Sequence, residues 1–158
     1  SSFGPEVSAE DYGQHLLNLQ NLTSDASNPE NDVDAGRKQY LSRQFTRLGL
    51  PSMPPSCGDG FQAVLSGTEA GLAPVLYTAK WQDAYQVAGV LEVAERFMTQ
   101  RPRPKHDVIF LFSMQDDFSW PDCATYRNAR LKLSPENLRG LSAMDLVIYL
   151  NRLHIAGK

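Results

Sequence analysis

Two short apolar runs, with an amphipathic helix between them, constrain the fold of this chain more than any other feature of the sequence. Residues 75–79 (VLYTA) and 107–113 (DVIFLFS) have the length and the continuous apolar character of strands that are buried on both faces of a sheet. Between them, apolar residues recur at helical spacing: Val87, Val90, Leu91, Ala94, Phe97 and Met98. The succession of strand, helix and strand predicts a sheet with parallel neighbours and a helix packed against it.

The segments before the first run predict two helices and another strand. Ser8 has the character of an N-cap, and the helix after it carries apolar residues at helical spacing. A second helix is predicted for residues 34–48, because Gly49 is a natural C-cap and Pro51 prevents continuation. Residues 61–67 (FQAVLSG) alternate as the side chains of a strand do.

The segments after the second run complete the domain. Short helices are predicted for residues 121–131 and 135–138, and residues 141–150 (LSAMDLVIYL) have the character of a last buried strand or strand–helix junction. This order of elements predicts an α/β fold, a three-layer sandwich on a mostly parallel sheet. At 158 residues the chain is expected to form a single domain, residues 1–158, with a flexible tail at residues 1–7.

Composition excludes several classes of function. The formal net charge of −3 provides no basic surface, so no nucleic-acid partner is expected. No apolar run approaches the roughly 18 residues that span a bilayer, and the first residues, SSFGPEVSAED, lack the basic and apolar regions of a signal peptide. We therefore expect no transmembrane segment. A targeting segment is expected to be absent or already removed, and an extracytoplasmic or organellar location is favoured.

The two cysteines, Cys57 and Cys123, fit neither a zinc ribbon nor a redox motif, because they lie far apart in the sequence. One disulfide in an oxidising compartment and two unpaired thiols are both compatible with this spacing. Of the two arrangements, we expect the unpaired thiols.

Seven segments of the chain occur in the same order as the motifs of a known family. They are HLLNLQNLTSDA, AGRKQYLSRQFTRLGL, FQAVLSGTE, VLYTAKWQD, QVAGVLEVAERF, DVIFLFSMQDD and LSAMDLVIYL. Together they resemble the di-zinc exopeptidase (aminopeptidase) family, which includes secreted bacterial aminopeptidases, glutaminyl cyclases and the non-catalytic ectodomains of transferrin receptor and nicastrin. The resemblance covers nearly the whole chain and implies a shortened zinc-exopeptidase-like fold.

The resemblance also identifies the positions at which a member of this family holds its zinc ions. VLYTAKWQD resembles a strand that ends in Ala-His-x-Asp. Lys80 therefore stands at the position of the zinc-binding histidine, and Gln82 at that of the aspartate that orients it. By the same resemblance, Asp83 is a displaced remnant of the bridging aspartate, whose loop is missing here. A protonated lysine has no lone pair for a metal and repels a divalent cation.

The downstream site positions are altered as well. Asp116 and Asp117 correspond to paired glutamates, one a general base and one a ligand, and each is a methylene shorter. Asp145 matches the position of the third ligand, whereas His154 lies too close to Asp145 to be the last histidine ligand. A solvated loop after a strand is an alternative interpretation of Asp116 and Asp117.

These substitutions predict that the zinc site is lost and that the chain is a pseudo-enzyme without a metal or another cofactor. We expect Lys80 to replace the charge of the metal among the remaining carboxylates: Asp83, Asp116, Asp117 and Asp145. A small-ligand pocket and residual catalysis are the alternatives.

The shortened fold also carries an expectation about partners. A sheet edge and an apolar face are expected to be left uncovered, and other protein subunits or self-association would then cover them. The chain is thus predicted to be a structural or interaction subunit of a larger assembly. The alternative function is a metal-dependent aminopeptidase or related hydrolase with a rearranged site, or a fragment of one.

Three further residues carry expectations about their surroundings. His15 and His106 have no metal-ligand partner at helical spacing, so each is expected to be a surface or loop histidine. Trp81 follows the predicted strand directly. A packed core position is expected for it, ahead of a cap over the old cleft or an anchor for a partner.

Overall fold

The structure is a computed structural model that describes residues 8–22, 33–56, 58, 60–99, 103–113 and 123–133. This part of the chain contains the first two predicted helices and both apolar runs. Several predictions lie outside the described residues: the tail at residues 1–7, the helix at residues 135–138, the segment at residues 141–150, and the site positions Asp116, Asp117 and Asp145.

The described residues contain three long helices, where the sequence predicts them. Helix α1 (Ala9–Asn21) begins after Ser8, whose side-chain oxygen accepts a backbone N–H of the first turn at 3.3 Å. Helix α2 (Val33–Leu48) ends before Gly49, whose φ of 82° is one that glycine adopts at low cost. Helix α3 (Ala84–Thr99) follows the first apolar run and buries most of its side chains. No helix in the described ranges is long and apolar enough to cross a lipid bilayer.

Within the same ranges, four strands form one mixed sheet: β1 (Gly60–Leu65), β2 (Val75–Lys80), β3 (Val108–Ser113) and β4 (Arg130–Leu133). Their order across the sheet is β1-β3-β2-β4. β2 is parallel to both of its neighbours, β3 and β4, whereas β1 is antiparallel to β3. The prediction that residues 75–79 form a central parallel strand is therefore confirmed.

The predicted helix over residues 121–131 is wrong in its second half. Helix α4 is short (Ala124–Arg127), and the chain passes into β4 at Arg130, which pairs with Val75 of β2. A single helical turn is barely stable alone, whereas pairing with a buried strand satisfies the backbone groups of this segment. Pairing with β2 at the edge of the sheet therefore determines that these residues form a strand.

Helices α1, α2 and α3 cover one face of the sheet and enclose the larger part of the core. This face is aromatic: Tyr77 of β2 stacks on Phe110 of β3 with ring centroids 6.0 Å apart, and Phe97 of α3 contacts both rings. The opposite face carries a smaller cluster that includes residues of α4: Leu76, Ile109, Leu111, Cys123 and Tyr126. Helical segments on both faces confirm the α/β class that the sequence predicts.

Cys123 is disulfide-bonded, which corrects the expectation of two unpaired thiols. The sequence contains one other cysteine, Cys57, which lies outside the described residues and is the expected partner. A hydrogen bond close to both cysteines holds their segments together, because the backbone N–H of Ser56 donates to the hydroxyl of Tyr126 at 2.8 Å. The cysteines are far apart in the sequence, and the folded sheet brings the segment before β1 to α4.

Loss of this bridge is expected to destabilise the fold by roughly 2–5 kcal/mol, because the unfolded chain regains the conformational freedom of a long loop. Cys57→Ser, Cys123→Ser and the double variant should lose the same free energy of unfolding in urea, since each breaks the same bond. Additive losses in the double variant would contradict the pairing.

Gly13 and Gly60 are expected to respond in opposite directions to alanine. An added Cβ at Gly13 of α1 has nothing within 4 Å, so Gly13→Ala should stabilise the fold by about 0.5–1 kcal/mol. Gly60 has a φ of 149°, and a Cβ there would lie 2.1 Å from the backbone oxygen of Phe112. Gly60→Ala should therefore cost more than about 1 kcal/mol. Urea unfolding measures both effects, and an unchanged Gly60→Ala variant would contradict this close approach of β1 to β3.

Candidate functional site

The carboxyl end of the central strand β2 is where the sequence places the candidate site. β2 ends at Lys80, which pairs with Ser113 at the end of β3. The backbone N–H of Trp81 donates to the carbonyl of Ser113 at 2.9 Å, and α3 already begins at Ala84. The chain thus turns abruptly from strand to helix at the edge of a parallel pair, which is where open α/β sheets bind ligands.

Asp83 is the N-cap of α3. Its carboxylate oxygen Oδ1 accepts the backbone N–H of Tyr85 at 3.0 Å and that of Gln86 at 3.3 Å. The other oxygen, Oδ2, accepts the side-chain amide of Gln86 at 3.1 Å. Both oxygens are therefore bound by N–H donors at a helix N-terminus, where a negative charge is favourable.

Gln86 connects this cap to the strand. Besides donating to Asp83, its buried side chain accepts the backbone N–H of Lys80 through Oε1 at 2.8 Å. The arrangement resembles a capping box, in which the residue three positions after the N-cap reaches back towards the chain before the helix. The cap therefore holds the strand and the helix in a defined orientation around residues 80–83.

Positive charge lies at the end of the strand. Arg37 of α2 is 7% exposed and donates from Nη1 to the backbone carbonyl of Trp81 at 2.9 Å, and Lys80 is half-buried one residue earlier. Two buried N–H groups have no hydrogen-bond partner among the described residues: Arg37 Nε and Trp81 Nε1. Cationic groups and N–H donors repel a divalent cation and offer it no lone pair. Lys80, Arg37 and these N–H groups therefore contribute no metal ligand at this edge.

Tyr12 links α1 to the same junction. Its buried hydroxyl donates to the backbone carbonyl of Tyr85 at 3.4 Å. Burial raises the pKa of the Tyr12 hydroxyl well above its usual value, and the nearby Tyr85 and Asp83 add to the shift. Tyr12 is therefore a neutral hydrogen-bond donor at physiological pH, which suits a packing contact better than acid–base chemistry.

The structure describes half of the predicted site positions, and these are neighbours in the chain: Lys80, Gln82 and Asp83. Gln82 is exposed, and Asp83 is half-buried as the helix cap. The other three aspartate positions lie outside the described residues. The cluster of Lys80 with all the aspartates therefore stays a prediction.

Trp81 and His106 lie where they are expected, whereas His15 does not. Trp81 is 1% exposed and packs in the core. His106 lies in the loop between α3 and β3, with Nδ1 2.6 Å from the carbonyl oxygen of Ala73. His15 is buried on α1 with 7% exposure, so the expectation of a surface or loop histidine is wrong. Its contacts come from α2 and α3, and no local spacing reveals them.

Comparisons with known proteins identify the fold. No family model and no curated protein matches this sequence. Among solved structures, the chain is similar to AtUAH in complex with glyoxylate, with a TM-score of 0.55 and 18% identity over 69% of this chain and 29% of that one. It is also similar to a hydantoinase/carbamoylase family amidase from Burkholderia ambifaria, with a TM-score of 0.55 and 15% identity over 71% of this chain and 30% of that one. A proposed Zn-dependent exopeptidase from Bacteroides vulgatus aligns with a TM-score of 0.49 and 16% identity, over 70% of this chain and 48% of that one.

The chain has an α/β fold similar to those of AtUAH and the hydantoinase/carbamoylase family amidase. This similarity confirms the fold class predicted from the order of the sequence motifs. The chain spans 29% and 30% of the length of the first two structures. At identities of 18% and 15%, the similarity concerns the fold alone.

Substitutions of Asp83 distinguish a helix cap from a metal ligand. Asp83→Ala should lower the free energy of unfolding by about 1 kcal/mol, because it removes the N-cap of α3. Asp83→Asn keeps an oxygen that accepts the backbone N–H groups, so it should change stability little. A metal ligand would behave differently: both variants would lose stabilisation by zinc to a similar extent. Urea unfolding with and without added zinc separates the two outcomes.

Proposed function

We propose that this chain is a non-catalytic, aminopeptidase-like domain, a pseudo-enzyme that acts as a structural or interaction subunit of a larger protein assembly. The observation that carries the proposal is the junction between β2 and α3. There Lys80 occupies the position that the resemblance assigns to a zinc-binding histidine, and both carboxylate oxygens of Asp83 cap a helix.

Binding of zinc by Asp83 would oppose several interactions at once. Its carboxylate would have to leave the N–H donors of Tyr85 and Gln86, which removes a cap worth about 1 kcal/mol. Arg37 also brings a guanidinium group to this turn, where it donates to the carbonyl of Trp81, and its positive charge opposes a divalent cation. The junction therefore favours a site that keeps its charges paired without a metal.

The remaining aspartates do not replace the missing ligands on their own. Asp116, Asp117 and Asp145 would form a set of carboxylates without imidazole, and such sets suit Mg²⁺ or Ca²⁺ better than zinc. We assign them instead to charge pairing with Lys80, which neutralises a lysine and carboxylates together.

Exposed apolar side chains support a role in protein interaction. Tyr85 is 45% exposed in the first turn of α3, beside the end of β2. Tyrosine is enriched among the residues that dominate binding energy at interfaces. Leu17 of α1 (52% exposed) and Met53 before β1 (45% exposed) offer further apolar surface. A second copy of the chain or another protein subunit would bury these side chains.

The disulfide supports an extracytoplasmic or organellar location. Disulfide bonds form and persist in oxidising compartments and are rare in the reducing cytosol. The bond at Cys123 therefore fits a chain that folds outside the cytosol or within an oxidising organelle.

A metal-dependent aminopeptidase or related hydrolase, with a rearranged site or as part of a longer chain, is the second candidate. The fold similarity to a hydantoinase/carbamoylase family amidase favours it, because this chain spans only 30% of that protein. In such an enzyme, segments beyond this sequence would supply further metal ligands.

Zinc content and amide hydrolysis test the proposal together. After equilibration with zinc, the purified chain is expected to hydrolyse neither aminoacyl anilides nor N-carbamoyl amino acids. Asp116→Ala and Asp145→Ala are expected to leave its zinc content unchanged, with the cap-preserving Asp83→Asn as the matched control. Zinc that disappears in Asp116→Ala or Asp145→Ala, or zinc-dependent hydrolysis that these variants abolish, would overturn the proposal and establish the hydrolase.

A further inference from the structure

A buried polar cluster joins α1 to α3, in the helical layer of the fold and away from the end of β2. His15 of α1 and Glu95 of α3 are 3.0 Å apart, between Nε2 and Oε1. Glu92 lies one turn before Glu95, and one ligand atom from each of these three residues lies within 4.8 Å of the other two. Tetrahedral zinc holds its nitrogen and oxygen ligands at bonds of about 2.0–2.2 Å. Ligand atoms around a tetrahedral ion with bonds of that length lie about 3.4 Å from one another, and the three atoms here are already within 4.8 Å.

Glu92 contributes a carboxylate oxygen that lacks a hydrogen-bond donor. Its side chain is 0% exposed. Oε1 accepts the backbone N–H of Ser8 at 3.1 Å and Nε of Arg96 at 2.9 Å. No N–H group of the described residues donates to the buried Oε2. An unsatisfied buried carboxylate oxygen is costly, and a bound cation would remove that cost.

His15 is oriented as a metal-binding histidine is. Its Nδ1 lies 2.9 Å from the hydroxyl of Tyr40, which also accepts the side-chain amide of Asn18 at 3.2 Å. Without an ion, the 3.0 Å contact between Nε2 and Glu95 Oε1 needs a proton on Nε2. When an ion takes the place of that proton, Nδ1–H donates to the Tyr40 hydroxyl and the lone pair of Nε2 binds the ion. A hydrogen bond from the second ring nitrogen commonly holds a metal-binding histidine in this way.

The charged groups around the cluster have a net negative charge that a cation would balance. Glu95 pairs with Arg47 at 2.8 Å, and Arg96 pairs with both Glu92 at 2.9 Å and Asp11 at 2.7 Å. Three carboxyl groups thus share two guanidinium groups, which leaves one negative charge when all three are ionised and His15 is neutral. The side chain of Arg47 is 64% exposed, so it can move into solvent without unpacking the core.

The cluster is accessible from the solvent. A cavity of about 550 Å³ borders it between α1 and α2, with His15, Tyr40, Arg47 and Glu95 among its lining residues. The cavity provides an entry path for an ion and space for a water molecule as an additional ligand. Three protein ligands and one water complete the coordination that zinc adopts at open sites.

We propose that His15, Glu92 and Glu95 bind one Zn²⁺, with a water molecule of the cavity as the fourth ligand. One imidazole and two carboxylates are a ligand set that zinc accepts. The ion would bind residues of both α1 and α3, and it would be the bonding partner that Glu92 Oε2 lacks among the described residues. This site is separate from the strand-end positions and is independent of the proposed function. It departs from the expectation of a metal-free chain.

Zinc titration of the chelator-treated chain tests the site, with competition against a chromophoric chelator as the measurement. The wild-type chain is expected to bind one equivalent of Zn²⁺. His15→Gln and Glu92→Gln should each weaken binding by at least about 100-fold, because each removes a ligand, and Tyr40→Phe should weaken it by about 10- to 100-fold. Asp11→Asn is the matched control: it removes a carboxylate charge of the same network without removing a ligand, so affinity should change by only a few-fold.

The outcomes separate this site from the strand end. No zinc binding by the wild-type chain overturns the inference and leaves the proposed function standing. Zinc that is retained in His15→Gln but lost in Asp116→Ala or Asp145→Ala overturns both. Circular dichroism confirms that each variant is folded. Should Glu92→Gln not fold, Tyr40→Phe at the rim of the cluster still tests the site, and unchanged affinity in that variant contradicts the proposed orientation of His15.

Discussion

The parallel pairing of β2 with β3 is the interaction on which the other elements of this structure depend. The two strands pair along their full lengths, from Val75 opposite Val108 to Lys80 opposite Ser113. Both strands are buried, and the stacked rings of Tyr77 and Phe110 form the centre of the aromatic core. β1 extends this pair at one side and β4 at the other, while the long helices cover one face. A parallel pair needs cover on both faces, and α4 with its disulfide-bonded Cys123 contributes to the second.

The geometry of this pair also determines which polar groups at the carboxyl ends of the strands are engaged in hydrogen bonds. α3 begins directly after β2, so the polar residues at the strand end lie at a helix N-terminus. Asp83 and Gln86 satisfy the free N–H groups of that helix and of Lys80. In the resemblance to di-zinc exopeptidases, these positions belong to metal chemistry. The hydrogen bonds observed here are those of a strand–helix junction, and this is the physical basis for proposing a non-catalytic domain.

The buried cluster of charged side chains lies in a different part of the fold. His15, Glu92 and Glu95 lie between α1 and α3, and two arginines pair with the glutamates. Among the described residues, no N–H group donates to one oxygen of the fully buried Glu92. Packing of α1 against α3 brings His15 and the two glutamates together, and the burial of His15 and Glu92 strengthens the interactions between these side chains. The proposed zinc ion would join α1 to α3 through its ligands. The proposed loss of a metal at the strand end and the proposed zinc site in the helical layer are compatible, because the two sites share no residue.

The sequence by itself determined the features that depend on neighbours three or four positions away, or on alternation along a strand. It predicted α1 from the Ser8 cap, the end of α2 at Gly49, the central strand at residues 75–79 and the packed Trp81. The spacing of Asp83 and Gln86 as a capping box was also present in the sequence, although the resemblance directed attention to metal binding.

Only the tertiary structure decided the rest. The disulfide at Cys123, the strand at residues 130–133 and the burial of His15 each require contact between segments that are distant in the sequence. Local patterns carry no information about such contacts, because a cap or a helical period acts within one or two turns. The partners of His15 and the pairing edge of β4 exist only after β2 and β3 have brought the helices and loops around them.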